Sequence, residues 1–287
     1  MNLMQFLSSL EQGLIYGLVA LGIYLSFRVL DFPDLTVDGS FPLGAALTAA
    51  LLVAGVHPIV ATIVAIVGGF CVGVLTAWLN VRWHLLHLLA SILTMTGLYS
   101  LNLRIMGRAN IGLQDEPTLF TVTGLKPLWF LSLILLLTVL GMWRFLKSEL
   151  GLALRATGAN PAMAKAQGLY VPTLICLGLG LSNALIALSG SLFAQSQGFA
   201  DITMGIGTII VGLAAVIMGE VLLPHRKILG ALLGCVVGSI LYRILIAFAL
   251  NIKGFGLQAS DLNLLTACLV GFAMILPKLH LFKKKKV

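Results

Sequence analysis

The chain has 287 residues, of which 59% are hydrophobic and 10% charged, and a mean hydropathy of +1.06. Soluble domains carry about 25% charged residues, so a soluble domain is excluded and the chain reads as a polytopic membrane protein. Its net charge of +8 then reads as orientation in the bilayer, not as affinity for nucleic acid.

The apolar runs are continuous, not alternating, which favours an all-α membrane helix bundle over a β-barrel. The 31 glycines fit close helix packing in lipid. About nine spans are expected, near 9–30, 41–56, 58–80, 86–106, 128–146, 173–195, 205–223, 229–250 and 261–277. Each is close to the roughly 20 residues a helix needs to cross, the second being short. No basic residue precedes the first run and no convincing small-residue cleavage site follows it, so it reads as a retained span. His57-Pro58 makes a tight turn, and Arg108 to Lys126 is a polar loop carrying Asp115 and Glu116. Cys71, Cys176, Cys235 and Cys268 lie in apolar runs without metal-binding spacing and read as small buried hydrophobes.

After the first span, Asp31, Asp34 and Asp38 fall within eight residues, with Thr36 and Ser40 among them. Gly39 and Pro42 make a continuous helix through this stretch improbable, and broken backbone at membrane depth belongs where it is buried or lines a cavity. Asp34, Thr36, Asp38 and Ser40 therefore either line a polar pathway or hold a discontinuous helix in shape; in the plainer reading Asp38 or Ser40 caps span two. Phe32-Pro33-Asp34-Leu35-Thr36 recurs as Phe199-Ala200-Asp201-Ile202-Thr203, 167 residues on, after helices that match at the same offset. Gly69 to Gly73 lies likewise over Gly234 to Gly238. Spans one and six run oppositely in the nine-span scheme, so the repeat is expected to be inverted. One membrane domain follows: a half at about 9–146, a polar break at 147–171, a second half at about 173–277 and a basic tail at 278–287. Phe32 and Phe199 flank the repeated acids, as an apolar gate or as core. Glu220 joins the pathway candidates; Arg243 lies toward the other end of its helix, which makes a direct Glu220–Arg243 pair doubtful.

With the Lys283–Lys286 tail in the cytosol, thirteen lysines and arginines fall on that side and four on the other, Arg243 lying within a span. The asymmetry places the N-terminus outside and Lys147–Val171 inside, and draws the tail to anionic lipid. Lys147–Val171 itself predicts two short helices. Ser148 caps the first, which runs through Arg155 and ends at Gly158. Asn160 caps the second, with Pro161 at its first position, and Gly168 is its stop. Such a doubly capped helix between spans is suited to being pushed from outside the membrane; the plain alternative is a helical loop.

No catalytic constellation is found: the chain has no GxxxxGK[ST], HExxH or GxSxG. His84 and His87 share a helix face but lack further ligands, and read as an interfacial belt beside Arg82 and Trp83.

Glu149 to Gly168, ELGLALRATGANPAMAKAQG, resembles the ATPase-coupling loop of permease subunits in bacterial ABC importers of the branched-chain amino acid and ribose type. The residues that carry the match are Glu149, Gly151, Arg155, Gly158, Asn160, Pro161, Met163, Ala164 and Gly168. Asp34 to Val37 with Gly39-Ser40 resembles the D-L-S-V-G-S of the sugar members, Asp38 being inserted. Gly212 to Gly219 resembles their A-A-V-I-x-G-G segment, with Glu220 in place of a second glycine. The likeness covers about Leu14 to Pro277.

It implies an inner-membrane importer with two permease copies, two cytosolic ATPase subunits that bind the ATP and Mg, and an extracytoplasmic binding protein. No cofactor and no catalysis are expected of this chain. Phe32 to Pro42, FPDLTVDGSFP, is similar to permeases linked to aromatic amino acids such as tryptophan; a sugar or nucleoside is the alternative cargo. A proton- or ion-coupled secondary transporter using Asp34, Asp38 and Asp201 as relays is the competing class, and a membrane enzyme or anchor is a third.

Overall fold

The computed structural model describes residues 3–114, 116–223, 227–250 and 271. Helix α1 (Leu3–Ile23) ends in a π-helical turn, Tyr24–Val29, and is followed by α2 (Val37–Val53), α3 (Pro58–Trp83) and α4 (His87–Met106). A loop holds strand β1 (Asn110–Gly112) and short helix α5 (Leu119–Thr123), then come α6 (Pro127–Lys147), α7 (Glu149–Ala159) and α8 (Pro161–Ala166). The rest is α9 (Val171–Gln197), strand β2 (Phe199–Asp201), α10 (Thr208–Leu222) and α11 (Ile228–Leu250).

Among the described residues six helices are long and apolar enough to cross a membrane: Met4–Val29, Pro58–Trp83, His87–Met106, Pro127–Lys147, Val171–Gln197 and Ile228–Ala249. The expected second and seventh spans are the shorter apolar helices α2 and α10. The expected span at 261–277 and the basic tail lie outside the described residues, apart from Gly271.

Small residues and buried hydroxyls set the helix directions. Ser40 Oγ donates to Asn183 Oδ1 and Thr48 Oγ1 to Ser191 Oγ, both at 2.7 Å and both across 143 residues, so α2 and α9 run parallel in register. Ser182 Oγ donates to the Gly22 carbonyl at 2.7 Å and Ser189 Oγ to that of Ile15 at 2.8 Å, so α1 and α9 run antiparallel. Helix α11 docks on α1 through Ser239 Oγ and the Gly13 carbonyl, at 2.7 Å. Gly69 and Gly73 bring α3 against the α9 backbone, and Gly238 and Gly219 do the same between α10 and α11. Without a hydrophobic drive between helices in lipid, such close approach and interhelical hydrogen bonds, about 1 kcal/mol each, hold the bundle.

Three expectations are corrected. Helix α2 runs unbroken through Gly39 and Pro42. Pro42 sits early in it, and the one carbonyl it leaves without a helical donor, that of Asp38, has the Gly205 backbone packed against it. The break falls earlier, between the π turn and Val37, where Asp31 takes a positive φ of 52°. Helix α7 passes Gly158 and ends at Ala159, because Gly158 packs against the backbone of Val29 and Leu30. Cys71 is exposed on the flank of α3 and only Cys235 is buried; Cys268 lies outside the described residues.

Candidate functional site

The repeated Asp-x-Thr stretches fold into the same turn. Asp34 Oδ1 accepts from the Thr36 amide at 2.9 Å, and Asp201 Oδ1 from the Thr203 amide at 2.7 Å. Each follows one of two mutually antiparallel helices, α1 or α9, and leads into one of the short helices, α2 or α10.

In the first turn Asp34 and Thr36 are fully buried. Asp34 Oδ2 accepts from Asn183 Nδ2 at 2.7 Å, while Thr36 Oγ1 meets Thr76 Oγ1 at 3.1 Å. Asn183 also takes the Ser40 bond, so one asparagine ties the turn and the first turn of α2 to α9. It stands next to Ala184, the midpoint of α9, so α2 starts deep within the bundle. Toward the far end of α9 the polar seam continues: Thr48 Oγ1 donates to Ser191 Oγ, Ser191 Oγ to Thr62 Oγ1 at 3.3 Å, and Gln195 Nε2 to Thr62 Oγ1 at 3.1 Å.

Asp38 caps a helix, but not its own. Its Oδ1 accepts from the Ile209 amide at 2.8 Å and its Oδ2 from the Gly207 amide at 3.2 Å, at the start of α10. A carboxylate at a helix N-terminus satisfies free amides and complements the helix dipole. The starts of α2 and α10 thus meet near the middle of α9. Around this junction two buried side-chain oxygens have no partner, Thr208 Oγ1 and Asn102 Oδ1; Asn102 donates its Nδ2 to the Gly39 carbonyl at 3.3 Å.

The second turn is more open. Asp201 Oδ2 accepts from Asn110 Nδ2 at 3.1 Å, beside the antiparallel pairing of β1 and β2 in which Asn110 stands opposite Asp201 and Gly112 opposite Phe199. Partial burial acts to raise the Asp201 pKa, but the hydrogen bonds from Thr203 and Asn110 outweigh it and hold the carboxyl below its ordinary value. Phe199 is 39% exposed, whereas Phe32 is buried and stacks flat on His87, ring centroids 4.2 Å apart. His87 opens α4 and β1 follows its end, so about 30 Å of helix separates the two phenylalanines. They do not form one gate.

The polar break is a clamp under the end of the first span. Ser148 Oγ accepts from the Gly151 amide at 3.3 Å and Asn160 Oδ1 from the Met163 amide at 3.0 Å; Pro161 holds the first position of α8. Gly168 turns the chain with φ of +82°. A β-carbon on Gly151 would meet the Phe145 carbonyl, and one on Gly158 the Val29 carbonyl. Leu154, Thr157 and Ala164 are buried, while Glu149, Leu150, Leu152 and Met163 are exposed. Arg155 is half-buried, and its Nε lacks a partner. In the π turn beside the clamp, Arg28 pairs with Glu220 near the end of α10, the single ion pair among the described residues. Arg243 instead bonds Gln12 at 3.3 Å and lies over the Tyr16 ring. No group of three or more potential metal ligands is present among the described residues.

Sequence reading missed Asn183, Gln195, Thr62, Ser191 and Asn110. The first, second and fourth had a signal: they are polar side chains on a mostly apolar helix, at intervals that keep the three near one face.

Residues 5–277 match the family described as branched-chain amino acid transport system, permease component. A tyrosine transport system permease protein of Clostridioides difficile is 38% identical over 97% of this chain and 93% of its own length. An uncharacterized protein of Rickettsia prowazekii is 38% identical over 64% of this chain and 65% of its own. No solved structure matches.

Proposed function

Because this chain belongs to the branched-chain amino acid transport permease family, we propose that it is the membrane half of an ATP-driven importer for an aromatic amino acid, worked from the cytosol through α7 and α8. The family gives an ABC permease component for amino acid transport, which performs no catalysis itself and works with ATPase and binding-protein partners. The aromatic cargo rests on the tyrosine permease relative and on the Phe32–Pro42 stretch. A homodimer of this chain with two ATPases, ATP and Mg being bound by the latter, completes the proposal.

The observation that carries it is the mechanical continuity of the clamp. Helix α7 packs on Val29 and Leu30; one residue away, Arg28 holds Glu220 near one end of α10; Asp38 holds the other end. Helix α10 is thus a rod of 15 residues between the clamp and the mid-depth junction. A partner ATPase pressing on exposed Met163 and Leu152 would move that rod and the two helix starts together, while Thr208 Oγ1 and Asn102 Oδ1 offer polar contacts to the passing solute. The antiparallel run of α1 and α9, each followed by the same turn and a short helix, supports an inverted repeat. The opposing basic counts support the N-terminus outside and this clamp in the cytosol.

A secondary transporter needs free relay carboxylates. Asp34, Asp38 and Asp201 are each engaged as turn or cap acceptors, which weighs against that class.

The test is Met163→Glu in the complex of permease, ATPase and binding protein. Met163 is 60% exposed, so the fold should tolerate the change, whereas variants at buried Ala164 or Gly158 would confuse lost coupling with lost structure. Transport and cargo-stimulated ATP turnover should fall at least tenfold with normal membrane levels. Undiminished stimulation would remove α8 from the mechanism.

A further inference from the structure

A cavity of about 490 Å³ opens between α3 and the start of α9, lined by Trp78, Arg82, His84, Tyr170, Thr173 and Cys176 among others. A second, of about 560 Å³, is lined only by apolar residues and glycine, with Phe70 from α3 and Leu177 to Leu188 from α9. The two lie on one flank of the same helix pair. Thr173 and Leu177 are one turn apart on α9, and Phe70 and Trp78 two turns apart on α3.

We propose that this flank is a binding groove for one anionic phospholipid, its phosphate at Arg82, His84 and Tyr170 and an acyl chain in the apolar trough. Three observations converge. Among the described residues Arg82 is exposed and has no ion-pair partner, and no acid lines either cavity. Trp78 and Trp83, in edge-on contact at 6.5 Å, and Tyr170 supply the amphipathic rings that favour the headgroup level. From Leu177 to Leu188, α9 rises about 16 Å, close to half of the roughly 30 Å hydrocarbon core and so to the depth of one leaflet. That the leaflet is the cytosolic one rests on the orientation proposed above; the groove itself does not depend on that reading.

The test uses the full chain in phosphatidylcholine vesicles, with Trp129 and Trp143 replaced by Phe so that Trp78 and Trp83 report alone. Brominated phosphatidylglycerol should quench them at about fivefold lower mole fraction than brominated phosphatidylcholine, the order expected of one basic side chain near a lipid phosphate. Arg82→Gln should abolish the preference. Mass spectrometry of the unmodified chain, which needs no variant, should find one anionic lipid retained through detergent exchange. Equal quenching by the two lipids, an unchanged preference in Arg82→Gln, or displacement by excess inorganic phosphate would each overturn the proposal. So would oxidative cross-linking of Cys176 between two chains, which would make the flank a subunit interface. Because the ATPase plays no part in the experiment, its failure leaves the transport reading standing.

Discussion

Phe32–Val37 and Phe199–Met204 are built from nearly the same residue types and make the same aspartate-to-threonine turn, yet the aspartate and threonine are fully buried in the first and partly exposed in the second. The buried turn sends its second carboxylate oxygen to Asn183 on α9, inside the bundle. The open turn sends it to Asn110 at the margin of a three-residue strand pair. Similar local chemistry therefore serves as a buried anchor in the first half and as a more open latch in the second.

The contrast is broken most severely at Asp34. Asp34→Ala strands the Asn183 amide and the Thr36 N–H without water, costing about 3 kcal/mol; Asp201→Ala leaves its donors open to solvent and should cost well under that. Melting in detergent micelles compares the two directly. Equal losses would mean that burial does not distinguish the halves.

Next come the glycines. A β-carbon on Gly44 would strike the Ala187 carbonyl, which is backbone and cannot swing aside; one on Gly212, in the short helix of the second half, meets the end of the Ile23 side chain. Gly44→Ala should destabilise by about 2 kcal/mol, and Gly212→Ala by less than about 1 kcal/mol because Ile23 can change rotamer. The reverse order would place the rigid contact in the second half.

Asp38 sharpens the comparison from a third side. Its counterpart in the second half is Gly205, so only one of the two helix starts is capped by the other. Asp38→Ala should cost about 1 kcal/mol and raise amide exchange at Ile209 and Gly207 far more than at the start of α2. Exchange rising equally at both starts would show that the cap is not one-directional.

These contrasts also show what the sequence could and could not carry. Ser148, Asn160, Pro161 and Gly168 were legible because a cap and its amides lie within three residues of each other. The Asp-x-Thr turns were legible as a repeat for the same reason. The partners of Asp34 and Asp38 were not, since Asn183 and Ile209 lie 149 and 171 residues away. Pro42 misled because the rule against proline within a helix presumes water or lipid at the freed carbonyl, and Gly205 supplies protein there instead. Gly158 misled likewise: it reads as a stop, but serves close packing against Leu30.

The smallest expected effect is the most diagnostic of the open latch. Hydrogen bonds from Thr203 and Asn110 hold the Asp201 carboxyl below its ordinary value of 3.8, so the folded chain binds that proton less readily than the unfolded one. The stabilisation is then fully present above the unfolded value and is lost as pH falls through the lower folded one. Between about pH 7 and 5 the difference in melting temperature between the natural chain and Asp201→Asn should stay constant, then narrow as pH drops below 3.8. Solvent screening at this partly exposed site keeps the amplitude small, so the shape of the curve is what decides. A gap that widens on acidification would mean that the carboxylate is strained in its turn, and the loose half would then be held by something other than Asp201.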